Sequence, residues 1–311
     1  MTPDPTPTAS DIARSLDLNG RTFVVTGASS GLGRQSALAL AGAGAHVVMA
    51  ARRPAALAKA QDEIQAQVAH ARLTAVELDL ASLSSVRAAA STIAKTTTQI
   101  DALINNAGVM FTPFGRTSDE FEIQLGTNHL GHFELTRLLL PRLQNGTGAR
   151  IVNVSSEAHR FGDLDLGDLN WRRRSYDKFI AYGAAKTANI LHAVELNRRY
   201  GPDGIRAFAV NPGMVATALA RHMTRDDVQS VSVLTDRAKQ KMTTPTDVLT
   251  PDEGAATQVW AATHSDMGNT EQVYLTNCSD AIVAEQYALD PDRAGALWEL
   301  SAKLCADVHG G

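Results

Sequence analysis

Short apolar runs rich in β-branched residues alternate along the chain with longer stretches of helical periodicity. Most runs are continuously apolar, which is typical of strands covered on both faces of a parallel sheet. The predicted strands cover residues 22–26, 46–50, 73–78, 102–105, 150–155, 206–211 and 272–276. The predicted helices cover residues 31–43, 55–70, 82–97, 118–143, 181–200, 251–263 and 291–308.

This alternation predicts the α/β class, with a single-domain Rossmann-type, doubly wound parallel sheet of about seven strands flanked by helices. Ligands of such sheets bind at the carboxyl ends of the strands. Residues 1–15 are predicted to be a disordered or loosely ordered tail, because the first ten are mainly proline and polar residues. Residues 16–311 form the predicted domain. Residues 214–250 have no strand pattern and are predicted to be a substrate lid.

Composition excludes several classes of function. Charged residues make up 20% of the 311 residues and the net charge is −4, so nothing indicates a nucleic-acid surface. No apolar run approaches the ~18 residues of a membrane span, and the N-terminus lacks a secretory pattern, so we expect a cytoplasmic protein. Cys278 and Cys305 are too few for a disulfide framework. His129, His132 and His192 lack metal-ligand spacing, and no metal is predicted.

A glycine-rich loop follows the first strand, with the spacing Gly27-x-x-x-Gly31-x-Gly33. Glycines allow tight turns and close approach of a pyrophosphate, and the helix that follows provides free N–H groups. An ordinary strand–helix turn is the alternative, but the strand before and the helix after are the context that a dinucleotide site requires. The predicted cofactor contacts in this loop are Gly27, Ser29, Ser30, Gly31, Leu32 and Gly33.

The end of the second strand predicts the choice of dinucleotide. An acidic residue there would bind the ribose 2′-hydroxyl of NAD, but this chain has Arg52 and Arg53. Arginine pairs well with a phosphate, so NADP(H) is predicted; the alternative is that both arginines are solvated surface charges. Asp79, before Leu80, is interpreted either as an acceptor for the adenine amine or as the cap of the next helix.

Tyr182 and Lys186 lie four residues apart in a predicted helix, so they share one face. A tyrosine that is half ionised at pH 7 needs its pKa lowered by ~3 units, or about 4 kcal/mol. One ammonium at ~4–5 Å supplies roughly 3–4 kcal/mol at an effective dielectric constant of ~20. The pair is therefore sufficient for acid–base chemistry, although such spacing also arises by chance.

Small or polar residues follow three further strands and would line one crevice with this pair. Ser155 and Ser156 end the fifth strand, where a hydroxyl can hold a carbonyl oxygen. The fourth and sixth strands are followed by Asn106-Ala107-Gly108 and Pro212-Gly213.

In this order, these motifs resemble those of the classical short-chain dehydrogenase/reductase family over residues 18–280. The matching positions are Thr26-Gly27-x-x-x-Gly31-x-Gly33, Asn105-Asn106-Ala107-Gly108, Asn128, Ser156, Tyr182-x-x-x-Lys186 and Asn211-Pro212-Gly213.

The resemblance implies a role for each of these positions. Tyr182 would be the acid/base, Lys186 would lower its pKa and bind the nicotinamide ribose, and Ser156 would bind the substrate oxygen. Asn128 would hold a water that links Lys186 to solvent. Asn106, Ala107 and Gly108 would line the cofactor cleft; Pro212 and Gly213 would close over the nicotinamide, Thr217 would lie near its carboxamide, and Val215 is a further expected cofactor contact.

A narrower resemblance concerns the retinol dehydrogenase-like branch, which includes WW-domain oxidoreductases. It rests on Asn128-His129-Leu130-Gly131-His132-Phe133, Asp168-Leu169-Asn170-Trp171 and the segment 182–196. The expected function is NADP(H)-dependent interconversion of a lipophilic alcohol with its aldehyde or ketone, as in carbonyl reductases and alcohol dehydrogenases. A catalytically silent dinucleotide sensor or scaffold, or an epimerase or dehydratase, is the alternative. Family analogy suggests a homodimer or homotetramer.

Overall fold

The computed structural model describes residues 6–145, 148–215, 227, 248–268, 270–280 and 284–308. Seven parallel strands form one sheet in the order β3-β2-β1-β4-β5-β6-β7, which confirms the predicted doubly wound fold. The strands are β1 (Thr22–Thr26), β2 (His46–Ala51), β3 (Arg72–Glu77), β4 (Ala102–Asn105), β5 (Arg150–Val154), β6 (Arg206–Asn211) and β7 (Tyr274–Thr276).

Helices cover both faces of the sheet. We number them α1 (Ala9–Arg14), α2 (Gly31–Gly42), α3 (Pro54–Gln67), α4 (Leu83–Thr96), α5 (Gly131–Gln144), α6 (Lys178–Tyr200), α7 (Pro251–Thr263) and α8 (Pro291–Asp307). Short helical turns at Ile123–Leu125, Glu157–Phe161, Ser265–Gly268 and Gln286–Leu289 and one π-helical turn at Gly126–Leu130 complete the described elements.

Alternate residues of the strands divide the core into two layers. Phe23 and Val25 point to the layer under α1, α2, α3 and α7, whereas Val24 between them points to the layer under α4, α5, α6 and α8. Side chains alternate across a strand, so a central strand needs apolar residues at every position. This requirement is why β1 reads as a continuous apolar run.

The N-terminal segment corrects one prediction. Residues 9–14, predicted to lie in a loosely ordered tail, form α1, which begins at a capping box between Thr8 and Asp11. Ala9 and Ala13 are buried in the core layer, and Ser10 hydrogen-bonds to Asp252 in the first turn of α7. The burial of these two alanines and the hydrogen bond to α7 stabilise a helix that the local composition does not predict.

The helix predicted over residues 118–143 begins later, at Ile123, and it is irregular. A π-helical turn at Gly126–Leu130, which carries Asn128, precedes α5. Of the predicted lid, only Met214, Val215, Asp227 and residues 248–250 are described.

Candidate active site

The glycine-rich loop lies between β1 and α2, beside the point where the strand order reverses from β1 to β4. Gly27 and Gly31 adopt positive φ angles of 69° and 54°, which side-chain-bearing residues rarely adopt. Ser30 is the N-cap of α2, but its hydroxyl makes no capping hydrogen bond. The first N–H groups of α2 are therefore available to an anion, together with the helix dipole.

Gly33 lies so close to the loop that a side chain has no room. A Cβ there would be 2.5 Å from the Gly27 carbonyl oxygen and 2.6 Å from Nδ2 of Asn106. Asn106 donates from Nδ2 to the Thr26 carbonyl oxygen at 2.7 Å, which ties the segment after β4 to the end of β1. Asn106, a predicted cofactor contact, thus stabilises the glycine-rich loop through this hydrogen bond.

Arg52 and Arg53 follow the end of β2, and both side chains are exposed. Neither forms an ion pair with a described residue, whereas Arg34 nearby is paired with Glu63. Within the described part of the chain, Arg52 and Arg53 therefore carry exposed guanidinium groups at this edge that have no ion-pair partner.

Asp79 does not cap α4, so one of its two interpretations is wrong. Ser82 is the N-cap and accepts from the Ser85 N–H. Asp79 instead accepts from the Ala81 N–H through Oδ1 at 3.0 Å. Leu80 is buried beneath this turn, with its carbonyl oxygen against Gly131.

The two serines after β5 have different surroundings. Ser155 is buried and donates to the Lys186 carbonyl oxygen at 2.9 Å, which gives it a structural role. The Ser156 hydroxyl accepts from the Ala158 N–H at 3.1 Å and lies near the Tyr182 hydroxyl. Since the Ala158 N–H uses a lone pair of Ser156, the serine proton remains available to a substrate oxygen.

Tyr182 and Lys186 lie together on α6, and both are almost completely buried. The Lys186 Nζ is 5.4 Å from the centroid of the Tyr182 ring and donates to the Val154 carbonyl oxygen at 2.8 Å. The structure therefore gathers Ser156, Tyr182 and Lys186 at the carboxyl end of β5.

The pKa values of this pair differ from the sequence expectation. Burial raises the pKa of Tyr182, and the nearby Ser156 hydroxyl lowers it by less. Burial also lowers the pKa of Lys186 to about 7. Burial is the largest influence on both groups, and the expected lowering of the Tyr182 pKa by Lys186 stays a prediction.

Asn128 is held by two hydrogen bonds to the backbone of Val109. Its Oδ1 accepts from the Val109 N–H at 2.8 Å, and its Nδ2 donates to the Val109 carbonyl oxygen at 2.9 Å. Gly108 makes this approach feasible, since a Cβ there would be 2.9 Å from Oδ1 of Asn128 and 3.9 Å from Nζ of Lys186. Asn128 thus lies beside Lys186.

The segment after β6 closes the other side of the crevice. Gly213 has a positive φ of 78°, and its N–H donates to Oδ1 of Asn211 at 3.2 Å. Val215 pairs with Leu249 and packs against Gly254, the residue of α7 that leaves room for it. Thr217 lies outside the described residues.

Aromatic side chains that sequence reasoning missed surround Tyr182. The Phe111 ring packs edge-on against Phe179 at 4.7 Å and against Tyr182 at 5.0 Å. Phe111 has a positive φ of 51°. This backbone conformation is strained for a bulky residue, and residues with such strain cluster at functional sites. Met110 and Phe161 extend this apolar wall. Nothing in the local sequence predicts this conformation.

Two histidines near the site were also missed as contributors. The ring of His159 lies 2.7 Å from the Ser156 carbonyl oxygen, and the ring of His132 lies 3.0 Å from the Asn128 carbonyl oxygen. The spacing of four residues between Asn128 and His132 is the signal that could have revealed the second contact.

Comparisons with known proteins identify related sequences. A family model described as short chain dehydrogenase matches residues 21–228. Retinol dehydrogenase 13 of Homo sapiens is 44% identical over 203 residues, which is 65% of this chain and 61% of that protein. Retinol dehydrogenase 14 of Mus musculus is 36% identical over 294 residues, or 91% of this chain and 85% of that protein.

The fold also matches a solved structure. The crystal structure of an uncharacterized protein from Mycobacterium paratuberculosis has a TM-score of 0.71 and 37% identity, and covers 94% of this chain and 97% of its own. Among the described helices, none has both the length and the apolar character that crossing a membrane requires. The described residues also hold no group of three or more histidine, cysteine or acidic side chains arranged for a metal ion.

Proposed function

Because the chain belongs to the short-chain dehydrogenase family, in its retinol dehydrogenase-like branch, we propose that it interconverts an alcohol and its aldehyde or ketone with NADP(H) as cofactor. The observation that carries this proposal is the buried pair of Tyr182 and Lys186 on α6, with Nζ of Lys186 5.4 Å from the centroid of the Tyr182 ring. A protein that only senses a dinucleotide has no need of this acid–base group.

The loop geometry supports a dinucleotide as the cofactor. Gly33 packs directly on Gly27, the α2 N–H groups are uncapped by Ser30, and positive φ angles at Gly27 and Gly31 open the backbone towards an anion. Arg52 and Arg53 would hold the 2′-phosphate through charge-assisted hydrogen bonds. The remaining cofactor contacts are proposed at Ser29, Leu32, Asp79, Leu80, Asn106, Ala107, Gly108, Pro212, Gly213, Val215 and Thr217.

Tyr182 is the proposed donor and acceptor of the proton in this reaction. The bound nicotinamide supplies or accepts the hydride at the substrate carbon. In the reductive direction the Tyr182 hydroxyl gives its proton to the substrate oxygen, and in the oxidative direction the phenolate takes it back. Ser156 donates a hydrogen bond to the same oxygen. Since burial raises the pKa of Tyr182, its hydroxyl is protonated near neutral pH, which supports carbonyl reduction.

Lys186 and Asn128 would form the route by which a proton returns from solvent to Tyr182. One N–H of Lys186 is used by the Val154 carbonyl oxygen, so two others can bind the nicotinamide ribose and a water. Asn128, which lies beside Lys186 through Gly108, would hold that water. The phenolate of Tyr182 then regains its proton from solvent along this route.

The wall around Tyr182 supports a lipophilic substrate. Phe111, Phe179, Phe161 and Met110 form one apolar cluster with the tyrosine ring. Met110 and Phe161 are only partly buried in this cluster. An apolar carbonyl compound can bury area against them, at roughly 25 cal/mol per Å², and so gains binding energy that a small polar one does not.

The test is consumption of NADPH, measured by its absorbance, with a panel of aldehydes, ketones, diketones, quinones and steroids. NADH is run in parallel. Turnover with NADPH that rises with substrate hydrophobicity supports the proposal. Tight NADPH binding without turnover on any substrate would favour a dinucleotide sensor, and a nicotinamide nucleotide retained through purification would favour an epimerase or dehydratase.

A further inference from the structure

His132 lies in the first turn of α5 and touches both halves of the candidate active site. Its side chain is buried, with 2% of its surface exposed. Nδ1 lies 3.0 Å from the Asn128 carbonyl oxygen, and Nε2 lies 2.9 Å from the Thr26 hydroxyl oxygen. One ring therefore joins the end of β1 to the turn that carries Asn128.

The hydrogen positions follow from the partners. A carbonyl oxygen can only accept, so Nδ1 carries the proton and donates to Asn128. Burial lowers the pKa of His132 to about 4, so the ring is neutral near pH 7 and Nε2 accepts. The Thr26 hydroxyl then donates to Nε2, its closest acceptor, since the Ile104 carbonyl oxygen is farther away at 3.4 Å.

This assignment leaves the Thr26 oxygen free to accept from the segment after β4. The Asn106 and Ala107 N–H groups donate to it at 2.9 and 3.0 Å. Thr26 immediately precedes Gly27, so its hydroxyl fixes the start of the glycine-rich loop against that segment. The ring of His132 completes the set of partners around this hydroxyl.

The other side of the ring acts on the Asn128 turn. The side chain of Asn128 is already bound at both ends to Val109, and the bond from His132 fixes its main-chain carbonyl in addition. This carbonyl belongs to the π-helical turn at Gly126–Leu130, where the regular helical hydrogen-bond pattern is interrupted. Without the imidazole, this carbonyl has greater freedom to reorient, and with it the turn that holds the Asn128 side chain near Lys186.

We propose that His132 is a positioning residue that orients the glycine-rich loop through Thr26 and the proton-return path through Asn128. This inference rests on the proposed function, because the path has a purpose only in proton transfer. The ring of His132 is buried with its two nitrogens on Thr26 and Asn128, so it acts through these two neighbours.

Two variants separate the two contacts, because asparagine reproduces a donor at Nδ1 and glutamine an acceptor at Nε2. His132→Asn keeps the bond to Asn128 and loses that to Thr26, so the Kd of NADPH should rise by roughly tenfold. At saturating NADPH its kcat should stay within about threefold of the wild type. His132→Gln should show the reverse, with kcat roughly tenfold lower and the Kd of NADPH nearly unchanged.

His46 provides a matched control. Its Nε2 contacts the Thr74 hydroxyl at 2.8 Å, but at the first residue of β2, at the opposite edge of the sheet. His46→Gln should leave both the Kd of NADPH and kcat unchanged. Equal losses of affinity and rate in both His132 variants, in proportion to a fall in Tm, would indicate a merely structural role and overturn the inference.

A measurement without turnover separates this inference from the proposed function. The ¹⁵N shifts of His132 should show a neutral ring protonated at Nδ1, with or without NADPH; protonation at Nε2 would contradict the assignment. If the wild type has no activity, the Kd of NADPH decides. Weaker binding by His132→Asn but not by His132→Gln still supports positioning of the loop, and equal binding refutes it.

Discussion

The α-carbon of Gly33 faces the carbonyl oxygen of Gly27 so closely that a methyl group between them would lie 2.5 Å from that oxygen. The first turn of α2 and the start of the glycine-rich loop are therefore in direct contact. The neighbours that would have to move are a backbone carbonyl and the Asn106 amide, which is itself bound to Thr26.

We predict that Gly33→Ala weakens NADPH binding by at least about tenfold and lowers the stability by about 1–3 kcal/mol, as overpacking does. Titration with NADPH and thermal unfolding measure the two effects. Gly42→Ala is the control on the same helix, where a Cβ meets its nearest neighbour at 3.9 Å. Alanine should be neutral or stabilising there, by up to about 1 kcal/mol. Similar losses in both variants would exclude the close contact as the cause.

Replacement of Tyr182 with Phe removes the proton donor and retains the ring that packs on Phe111. We expect kcat to fall by at least ~100-fold, the lower range for general acid–base catalysis, with NADPH affinity within about threefold of wild type. Tyr200→Phe, at the end of the same helix, removes a hydroxyl far from Ser156 and should not change kcat. A Tyr182→Phe enzyme with full activity would remove Tyr182 from the mechanism.

Arg52 and Arg53 provide the test of cofactor choice. Arg52→Asp or Arg53→Asp should weaken NADPH roughly 10–100-fold, the loss expected for one charge-assisted hydrogen bond or a bidentate pair, and should spare NADH. Arg72→Asp makes the same change in charge at an exposed site on the first residue of β3, and should affect both dinucleotides equally little. Comparing the Kd values for the two dinucleotides identifies which arginine binds the phosphate; equal losses for NADPH and NADH would argue against phosphate recognition.

The sequence predicts three of the strands residue for residue. β1, β4 and β6 have the predicted bounds, because each is an apolar run covered on both faces and bounded by polar or glycine residues. It also identifies the strand ends that form the site, because the carboxyl ends of parallel strands meet at one edge. These features depend on local pattern and on topology, which the order of the elements determines.

The remaining features depend on contacts between distant segments. The left-handed backbone at Phe111 is compensated by packing against Phe179, which lies 68 residues later along the chain (179 minus 111). The order in α1 comes from burial of Ala9 and Ala13 and from the bond of Ser10 to Asp252. The spacing of Tyr182 and Lys186 predicts their shared helix face, but it does not reveal burial, which raises the pKa of Tyr182.

Three histidines are buried, one on α5, one on the turn that precedes it and one on α6. They should make the folded protein less stable in acid. Burial lowers the pKa of His129 to about 3, that of His132 to about 4, and that of His192 well below its usual range. In the unfolded chain these groups titrate near ~6.5. Their contribution to stability is therefore complete above pH ~6.5 and is lost as the pH falls towards ~4, because the unfolded chain then binds more protons.

The substitution His192→Leu tests how much one of these histidines contributes to the pH dependence of stability. Asn153 donates to Nδ1 of His192 but also to the Asn189 carbonyl oxygen, so it keeps a partner. The Nε2 of His192 has no hydrogen-bond partner among the described residues, so leucine removes an unsatisfied group and should not lower stability at pH 7. Between pH 4.5 and 6, roughly, the free energy of unfolding should depend less on pH, by up to about 1.4 kcal/mol per unit.

Urea unfolding at several pH values measures this change in slope. His70→Gln removes a histidine whose side chain is exposed in the turn before β3, and it should leave the slope unchanged. If His192→Leu also left the slope unchanged, His192 would have to be protonated equally in the folded and unfolded chains. A buried imidazole against the rings of Phe133 and Trp298 opposes that outcome, because a charge there loses its hydration without gaining a counter-charge.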